Sequence, residues 1–146
     1  MFIMVYRKPT VISVVAIGLF MGTAAAQSLT SAQIMQVEEV AKKAAEQHNA
    51  NANAMLDEVM VSTHATAVGR NIQFKYVFRL KKNSPKAKLN EFTKEIKNEV
   101  VTKSCAVNAN NPFFERGLSY TFVYFNTYGE HLTTFTVNQA VCKQSH

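Results

Sequence analysis

The sequence predicts an α+β fold, in which a single antiparallel sheet of about four strands, formed by two hairpins, has two helices packed on one face. Three observations lead to this prediction. Two stretches carry apolar residues at helical spacing, two pairs of stretches alternate between apolar and polar residues, and the links within each pair are short. The elements follow in the order α-β-β-α-β-β, which allows both helices to cover the same sheet.

Length and composition agree with one folded domain. The chain has 146 residues, of which 47% are hydrophobic, and this content excludes an intrinsically disordered protein. Five Gly and three Pro exclude a collagen-like repeat, and two Cys exclude a disulfide-dense miniprotein. A chain of this length has room for one domain of ordinary size.

The start of the chain has the features of a signal peptide. Arg7 and Lys8 precede an apolar run over residues 11–22, and Ala24 and Ala26 have the spacing that signal peptidase requires. A helix over this run would be about 18 Å long, which is short for a hydrocarbon core of about 30 Å. The prediction is therefore cleavage, and the alternative is a segment that stays as a membrane anchor.

Cleavage after Ala26 divides the chain into a signal peptide, residues 1–26, and a single exported domain, residues 27–146. The predicted location is the periplasm or the outside of the cell, with no integral membrane segment after cleavage. The exported domain loses Arg7 and Lys8 from the 16 basic side chains and keeps 14 against 10 acidic ones, a net charge of +4. A charge this mild, in an exported protein, argues against a nucleic-acid partner.

The first predicted helix has a well-marked start. Thr30 and Gln33 have the spacing of a capping box, and Leu29 and Ile34 have that of a hydrophobic staple. A run of asparagines from Asn49 ends the helix, because asparagine favours turns over helix interiors. The predicted buried stripe is thin and rich in alanine, and it consists of Ile34, Val37, Ala41, Ala44 and His48.

The first predicted hairpin follows this helix. A strand over residues 58–68 leads into a turn at Gly69 and Arg70. The second strand is the clearest in the chain, because one face is aromatic and aliphatic while the other is largely polar. Its apolar face consists of Ile72, Phe74, Tyr76, Phe78 and Leu80.

The second predicted helix begins at Ser84 and Pro85, with the serine as N-cap and the proline in the first turn. Its predicted stripe consists of Leu89, Phe92, Ile96 and Val100. A single helical turn at Pro112 and strands over residues 118–126 and 131–137 complete the second half. Phe74, Tyr76, Phe78, Phe92 and Ile96 are expected to be mostly buried between the sheet and this helix.

The two cysteines predict one disulfide. Cys105 and Cys142 are the only cysteines, they lie just beyond predicted elements, and export takes them to an oxidising compartment. The bond requires Cα atoms about 4.4–6.8 Å apart, so the last segment is expected to pass beside the end of the second helix. The alternative makes Cys105 a nucleophile with His64 or His131 as its base.

No motif in the chain points to catalysis, a metal or a cofactor. The histidines lack the spacing that places two metal ligands on one helix face. The adjacent acids Asp57 and Glu58 would point to opposite faces of an extended chain, and a phosphate-binding loop and a nucleophile elbow are both missing. We therefore predict that the protein is not an enzyme.

Two groups of residues form a predicted interaction patch. Five cations occupy ten residues, without an acid between them, around the start of the second helix, where cations oppose the helix dipole. Three aromatic residues in the second half add side chains of the type that contributes strongly to interfaces. The predicted patch consists of Arg79, Lys81, Lys82, Lys86, Lys88, Phe113, Phe114 and Tyr128. The alternatives are a solvated loop for the cations and core packing for the aromatics.

These observations predict a small exported binding protein without catalytic activity, whose partner is another protein or an anionic envelope surface. The layout resembles small exported bacterial domains that assist secretion systems or inhibit enzymes, including cystatin-like folds, and this resemblance implies an accessory or inhibitory role. The alternative function is a small ligand carrier or hydrolase with a cleft between sheet and helices.

Cleavage of the signal peptide is testable by mass. Intact-mass analysis of the exported protein is expected to show a chain that begins at Gln27. An unprocessed chain recovered from the membrane fraction would instead support the anchor.

Overall fold

The computed structural model describes residues 27–144, so the predicted signal peptide lies outside the described residues. Its elements are α1 (Ser31–Ala50), β1 (Met60–Val68), β2 (Asn71–Phe78), α2 (Lys86–Asn108), α3 (Pro112–Glu115), β3 (Ser119–Asn126), β4 (His131–Val137) and α4 (Gln139–Gln144). The predicted α+β class and the order of its main elements are confirmed, and α4 is an addition at the end. Between residues 27 and 144 no helix is long and apolar enough to cross a membrane.

The start of α1 is the predicted capping box. The Thr30 hydroxyl accepts the Gln33 backbone N–H at 3.2 Å, and the Gln33 side-chain oxygen accepts the Thr30 backbone N–H at 2.9 Å. The buried face of α1 carries small side chains, namely Val37, Ala41 and Ala45. Because these side chains are short, α1 lies close against β1 and β2.

The four strands form one sheet in the order β1-β2-β3-β4. Both predicted hairpins are present and antiparallel, but β2 and β3 pair in parallel, so the expectation of a fully antiparallel sheet is wrong. The connection explains the difference. The 23 residues of α2 span about 34 Å, which returns the chain to the end of the sheet where β2 began, and β3 then runs in the same direction.

Arg70 joins the two hairpins where the parallel pair begins. Its guanidinium donates a hydrogen bond to the Arg116 carbonyl at 2.8 Å, and its own carbonyl accepts the Ser119 backbone N–H at 3.0 Å. Gly117 has φ +91° and lies directly under this guanidinium, so that any side chain there would collide with it. The Asn71 side chain continues the join by bonding to the Ser119 hydroxyl at 2.9 Å.

The core lies between the sheet and the helices, but the helices cover it unevenly. Ile72 is 1% exposed and Val137 is fully buried, whereas Phe74, Tyr76, Phe78, Phe92 and Ile96 are less completely buried. These five side chains are mostly buried, as predicted, but unlike Ile72 each keeps some exposed area. The physical reason is that α1 packs mainly on β1 while α2 packs on β4, which leaves the rings of β2 between the two helices.

The start of α2 differs from the predicted one. Pro85 is the N-cap and Lys86 the first helical residue, and no side chain bonds to the exposed N–H groups there. Ser84 does not cap the helix, because its hydroxyl donates to the Lys81 carbonyl at 2.7 Å and closes the preceding turn. At its other end α2 extends past the predicted limit and includes Cys105.

Cys105 and Cys142 form a disulfide with a Cα–Cα distance of 5.3 Å, inside the range that the predicted bond requires. Both cysteines lie within helices rather than beyond elements: Cys105 is in α2 and Cys142 is in α4. The bond holds α4 against the C-terminal half of α2. It also removes the free thiol that a nucleophilic Cys105 would need.

Loss of this disulfide is expected to destabilise the domain without changing its surface. The Cys105→Ser/Cys142→Ser variant should lose about 2–5 kcal/mol of unfolding free energy in urea denaturation, because the unfolded chain is no longer cross-linked. Thiol titration of the denatured, unreduced protein should detect no free thiol. Two free thiols in freshly isolated protein would contradict the bond.

Candidate functional site

A row of partly buried rings on β2 lies between the two long helices. We call Phe74, Tyr76 and Phe78 the aromatic strip. These side chains alternate on one face of β2, between α1 on one side and α2 on the other. Each side chain is partly buried, while the rings beside them on β3 and β4, namely Phe122, Tyr124 and Phe135, are buried.

The parallel register of β2 and β3 fixes the position of the strip. Phe74 pairs with Phe122, and Tyr76 pairs with Tyr124. The rings of these pairs stack at centroid distances of 5.3 and 5.2 Å, with interplanar angles of 18° in both. Stacking on these buried neighbours in the adjacent strand holds the rings of the strip in place.

The two long helices contribute one ring each to the borders of the strip. His48 near the end of α1 meets the Phe74 ring edge-on at 4.9 Å, and Phe92 in the first half of α2 meets Phe78 edge-on at 5.6 Å. Ile96, one turn beyond Phe92, is also half-buried. The strip is therefore bordered by a histidine ring on the α1 side and by a phenylalanine and an isoleucine side chain on the α2 side.

The hydroxyl groups of this region stay neutral at physiological pH. Burial raises the pKa of Tyr76, and a hydrogen bond with Thr63 opposes part of that rise. Burial also raises the pKa of Tyr124 far above its ordinary value, with additional contributions from Tyr76 and the Glu99 carboxylate. The strip thus consists of uncharged rings, of which Tyr76 alone carries a hydroxyl group, and aromatic rings of this kind are frequent at protein-binding surfaces.

His48 lies where α1 meets the edge strand, and its neighbours hold it there. Its Nε2 is hydrogen-bonded to the Thr63 hydroxyl at 2.8 Å. The next residue, Asn49, donates to the Ala65 carbonyl at 2.8 Å and accepts the Ala65 N–H at 2.7 Å, so its amide occupies the free edge of β1. Burial first, and the nearby His64 second, lower the pKa of His48.

A second candidate site is a groove between the loop before α2 and the β3–β4 turn. We call it the basic groove, because Lys81, Lys82 and Lys86 line it. Its volume is about 440 Å³, and Leu80 and Leu89 supply apolar lining. The ring of Tyr128, which is 55% exposed, lies 5.9 Å from the Lys82 ammonium.

The predicted interaction patch is divided between two parts of the surface. Lys81, Lys82, Lys86 and Tyr128 share the basic groove, whereas Arg79 and Lys88 lie outside its lining. Phe113 and Phe114 lie at the other end of the molecule, with α3. Phe114 is 3% exposed and stacks on Tyr120 at 5.8 Å, so its place in the patch is wrong and it belongs to the core.

Phe113 borders a further shallow groove. It is half-buried and lines a cavity of about 690 Å³ between α1 and α3, together with the exposed Met35 and with Arg116. This cavity is wide open to solvent and lacks a row of stacked rings. Phe113 therefore stays a candidate contact residue, separate from the basic groove.

The residues considered for catalysis are separated or already engaged. His64 is on β1 and His131 on β4, which are the opposite edges of the sheet, so they do not meet as neighbours. The Asp57 carboxylate accepts the backbone N–H groups of Val59 and Met60 in the turn before β1. Within residues 27–144 no group of three His, Cys, Asp or Glu side chains is arranged to hold a metal.

Neither a protein-family model nor a curated protein matches this sequence. Three solved structures share the fold. The type II secretion system pilotin AspS from Vibrio cholerae is 19% identical, with a TM-score of 0.58 over 76% of this chain and 96% of the pilotin. The type 2 secretion system pilotin EpsS from Vibrio vulnificus is 16% identical, with a TM-score of 0.60 over 77% and 97%.

The third structure is a protein from Pseudomonas aeruginosa that is described as secreted. It is 11% identical to this chain, with a TM-score of 0.59 over 78% of this chain and 99% of that protein. In all three cases the alignment spans nearly the whole length of the neighbour. The likeness at these identities is one of fold.

The environment of His48 predicts a pH dependence of stability. Because the folded pKa is lowered, the unfolded state binds more protons in mildly acidic solution. The unfolding free energy should therefore fall as the pH drops below the ordinary histidine pKa of about 6.5 and approaches the folded value. Urea denaturation between pH 7.5 and pH 5 measures this decrease.

The His48→Gln variant should show a smaller decrease, since it removes the titrating group and keeps a polar side chain beside Thr63. His131→Gln, at an exposed position on β4, is the matched control and should keep the full decrease. Equal slopes for His48→Gln and the unsubstituted protein would exclude His48 as the source.

Proposed function

We propose that this chain is a non-catalytic accessory protein of a bacterial secretion system, and that it binds a protein component of that system through the aromatic strip. The observation that carries the proposal is the fold likeness to two pilotins, which extends over 96% and 97% of their chains. The domain described here therefore corresponds to nearly the whole of each pilotin rather than to a shared fragment.

The proposed location agrees with this function. Cleavage of residues 1–26 would release the domain into the periplasm or the medium. The Cys105–Cys142 disulfide is a stabilising device suited to an oxidising compartment. The likeness to a protein described as secreted supports the same location.

The aromatic strip is suited to binding because it is already in place before a partner arrives. Its rings stack on the buried rings of β3, so binding would fix few additional side-chain rotamers. Aromatic side chains give a large contact area, and tyrosine, here Tyr76, is enriched among the residues that contribute most to interfaces.

The same stacking favours a protein segment over a small ligand. Phe74, Tyr76 and their partners fill the space between the helices with their own rings, and the strip is a surface rather than an enclosed cavity. A segment laid across the strip would cover three rings in a row. Closed pockets of the kind that bury most of a small ligand have a different shape.

Site-specific photo-crosslinking tests this proposal. A p-benzoylphenylalanine in place of Phe92 keeps an aromatic side chain at the border of the strip. In cells that express the full chain, irradiation is expected to link it to a component of the secretion apparatus, identified by mass spectrometry. A second chain with the same residue in place of Val107, also on α2 but 82% exposed and on no groove described here, is the control.

Crosslinks to a secretion component from position 92 and not from position 107 support the proposal. Equal yields from both positions, or a product from position 92 without any secretion component, would overturn it. The unfolding free energy of both proteins is measured first, so that a misfolded chain is not mistaken for a loss of binding.

A further inference from the structure

The start of α2 lacks the stabilising features that α1 has. The first turn of α1 is closed by a capping box, whereas α2 has no side-chain cap and no acidic residue in its first turn. Instead, Lys86 and Lys88 lie there, where cations interact unfavourably with the helix dipole. Residues that oppose the local stability of a helix are found most often at functional sites. The two lysines therefore need an explanation other than helix stability.

The basic groove brings one of these cations, Lys86, together with two lysines of the preceding loop and with apolar and aromatic contacts. Lys81, Lys82 and Lys86 come from the loop and the helix, and Tyr128 comes from the β3–β4 turn across the groove. Leu80 and Leu89 line the same space and are half-buried. An occupant would therefore meet positive charge and apolar surface within one concavity of about 440 Å³.

Fixed backbone elements form both sides of the groove. The Asn126 side chain is buried and accepts the backbone N–H groups of Tyr128 and Glu130, each at 2.9 Å. The Thr127 N–H bonds to the Phe78 carbonyl at 3.0 Å, which attaches this turn to the end of β2. On the other side Asn83 has φ +65° within the turn that the Ser84–Lys81 hydrogen bonds close.

The basic groove begins where the aromatic strip ends. Leu80 follows Phe78 by two residues on the same chain segment, and Leu89 precedes Phe92 by three residues on α2, about one helical turn. Phe78 and Phe92 are in contact at 5.6 Å. A segment that lies along the strip would therefore reach the lysines without changing direction.

We propose that the basic groove binds an acidic segment of a protein, whose carboxylates meet the three lysines while an apolar side chain packs on the two leucines. The inference rests on the proposed function and adds the chemistry of the partner, which is an acidic stretch next to the apolar stretch that covers the strip. The charges are complementary, and such complementarity sets the orientation of a bound segment and speeds its association.

The shape of the site favours a protein segment over a membrane surface. The lysines surround a concave space, which a protein segment can enter and the flat surface of a bilayer cannot. Tyr128 is the one large aromatic side chain at this rim that is strongly exposed among the described residues. A bilayer would instead need several apolar side chains in one plane.

The test uses the same crosslinking system with the full chain in cells. A p-benzoylphenylalanine in place of Tyr128 is expected to link to the same protein as the probe at position 92. The Lys81→Gln/Lys82→Gln/Lys86→Gln variant should lower the yield from position 128 about tenfold, since it removes three charge contacts. The control variant, Lys43→Gln/Lys94→Gln/Lys97→Gln, makes the same change in charge at exposed lysines elsewhere and should leave the yield unchanged.

Several outcomes would overturn this inference while leaving the proposed function intact. One is a product at position 92 with none at position 128, and another is an equal loss of yield in both triple variants. A third is membrane binding without any protein crosslink at position 128. In that case the protein would float with phosphatidylglycerol vesicles but not with phosphatidylcholine vesicles, and the groove variant would abolish the flotation. This outcome would assign the groove to a membrane. Absence of a secretion component at both positions would overturn the proposed function as well.

Discussion

The parallel pairing of β2 with β3 is the constraint on which the rest of the structure depends. It joins two hairpins that would otherwise be separate, and it requires the chain to return along the sheet through α2. Arg70 and Asn71 secure the start of this pairing with hydrogen bonds into the second hairpin. Without the pairing, each hairpin would be an isolated two-stranded sheet, which is marginally stable at best in water.

The same pairing creates the aromatic strip. In parallel register, equivalent residues of β2 and β3 point to one face and lie side by side, so Phe74 meets Phe122 and Tyr76 meets Tyr124. A shift by one residue would send the rings of one strand to the helix-free face. The register thus decides both the stability of the core and the presence of an ordered surface on it.

Much of this fold is predictable from the sequence, because period-2 alternation and turn residues report directly on hairpins. The pairing between the hairpins is not encoded in either strand alone. It follows from the length and direction of α2, which the alternation within the strands does not report, so the expectation of an antiparallel sheet is wrong at this pair. The capping box at Thr30 is predictable because both of its hydrogen bonds join residues three positions apart. Ser84 has the sequence pattern of an N-cap, but its hydroxyl donates to the carbonyl of Lys81 in the preceding turn instead of accepting an N–H of α2.

The candidate sites show the same division. The lysines of the basic groove were found from the sequence, because they are close along the chain. The sequence places Tyr128 and Phe114 in the same predicted patch, and only the folded structure shows that Tyr128 lines the groove while α3 packs the Phe114 ring on Tyr120. The aromatic strip was interpreted as core because alternation identifies a buried face without showing how completely the helices cover it.

The size of the helix side chains and the position of each helix, rather than the number of helices, determine how completely the sheet is covered. The face of α1 carries alanines, so this helix sits close over β1 and β2, and its small side chains do not extend to the rings in the centre. The disulfide holds the C-terminal half of α2 to α4 on the far side, over β4. The two helices therefore do not cover β2 completely, and the remaining exposure of the strip is a consequence of where both helices pack.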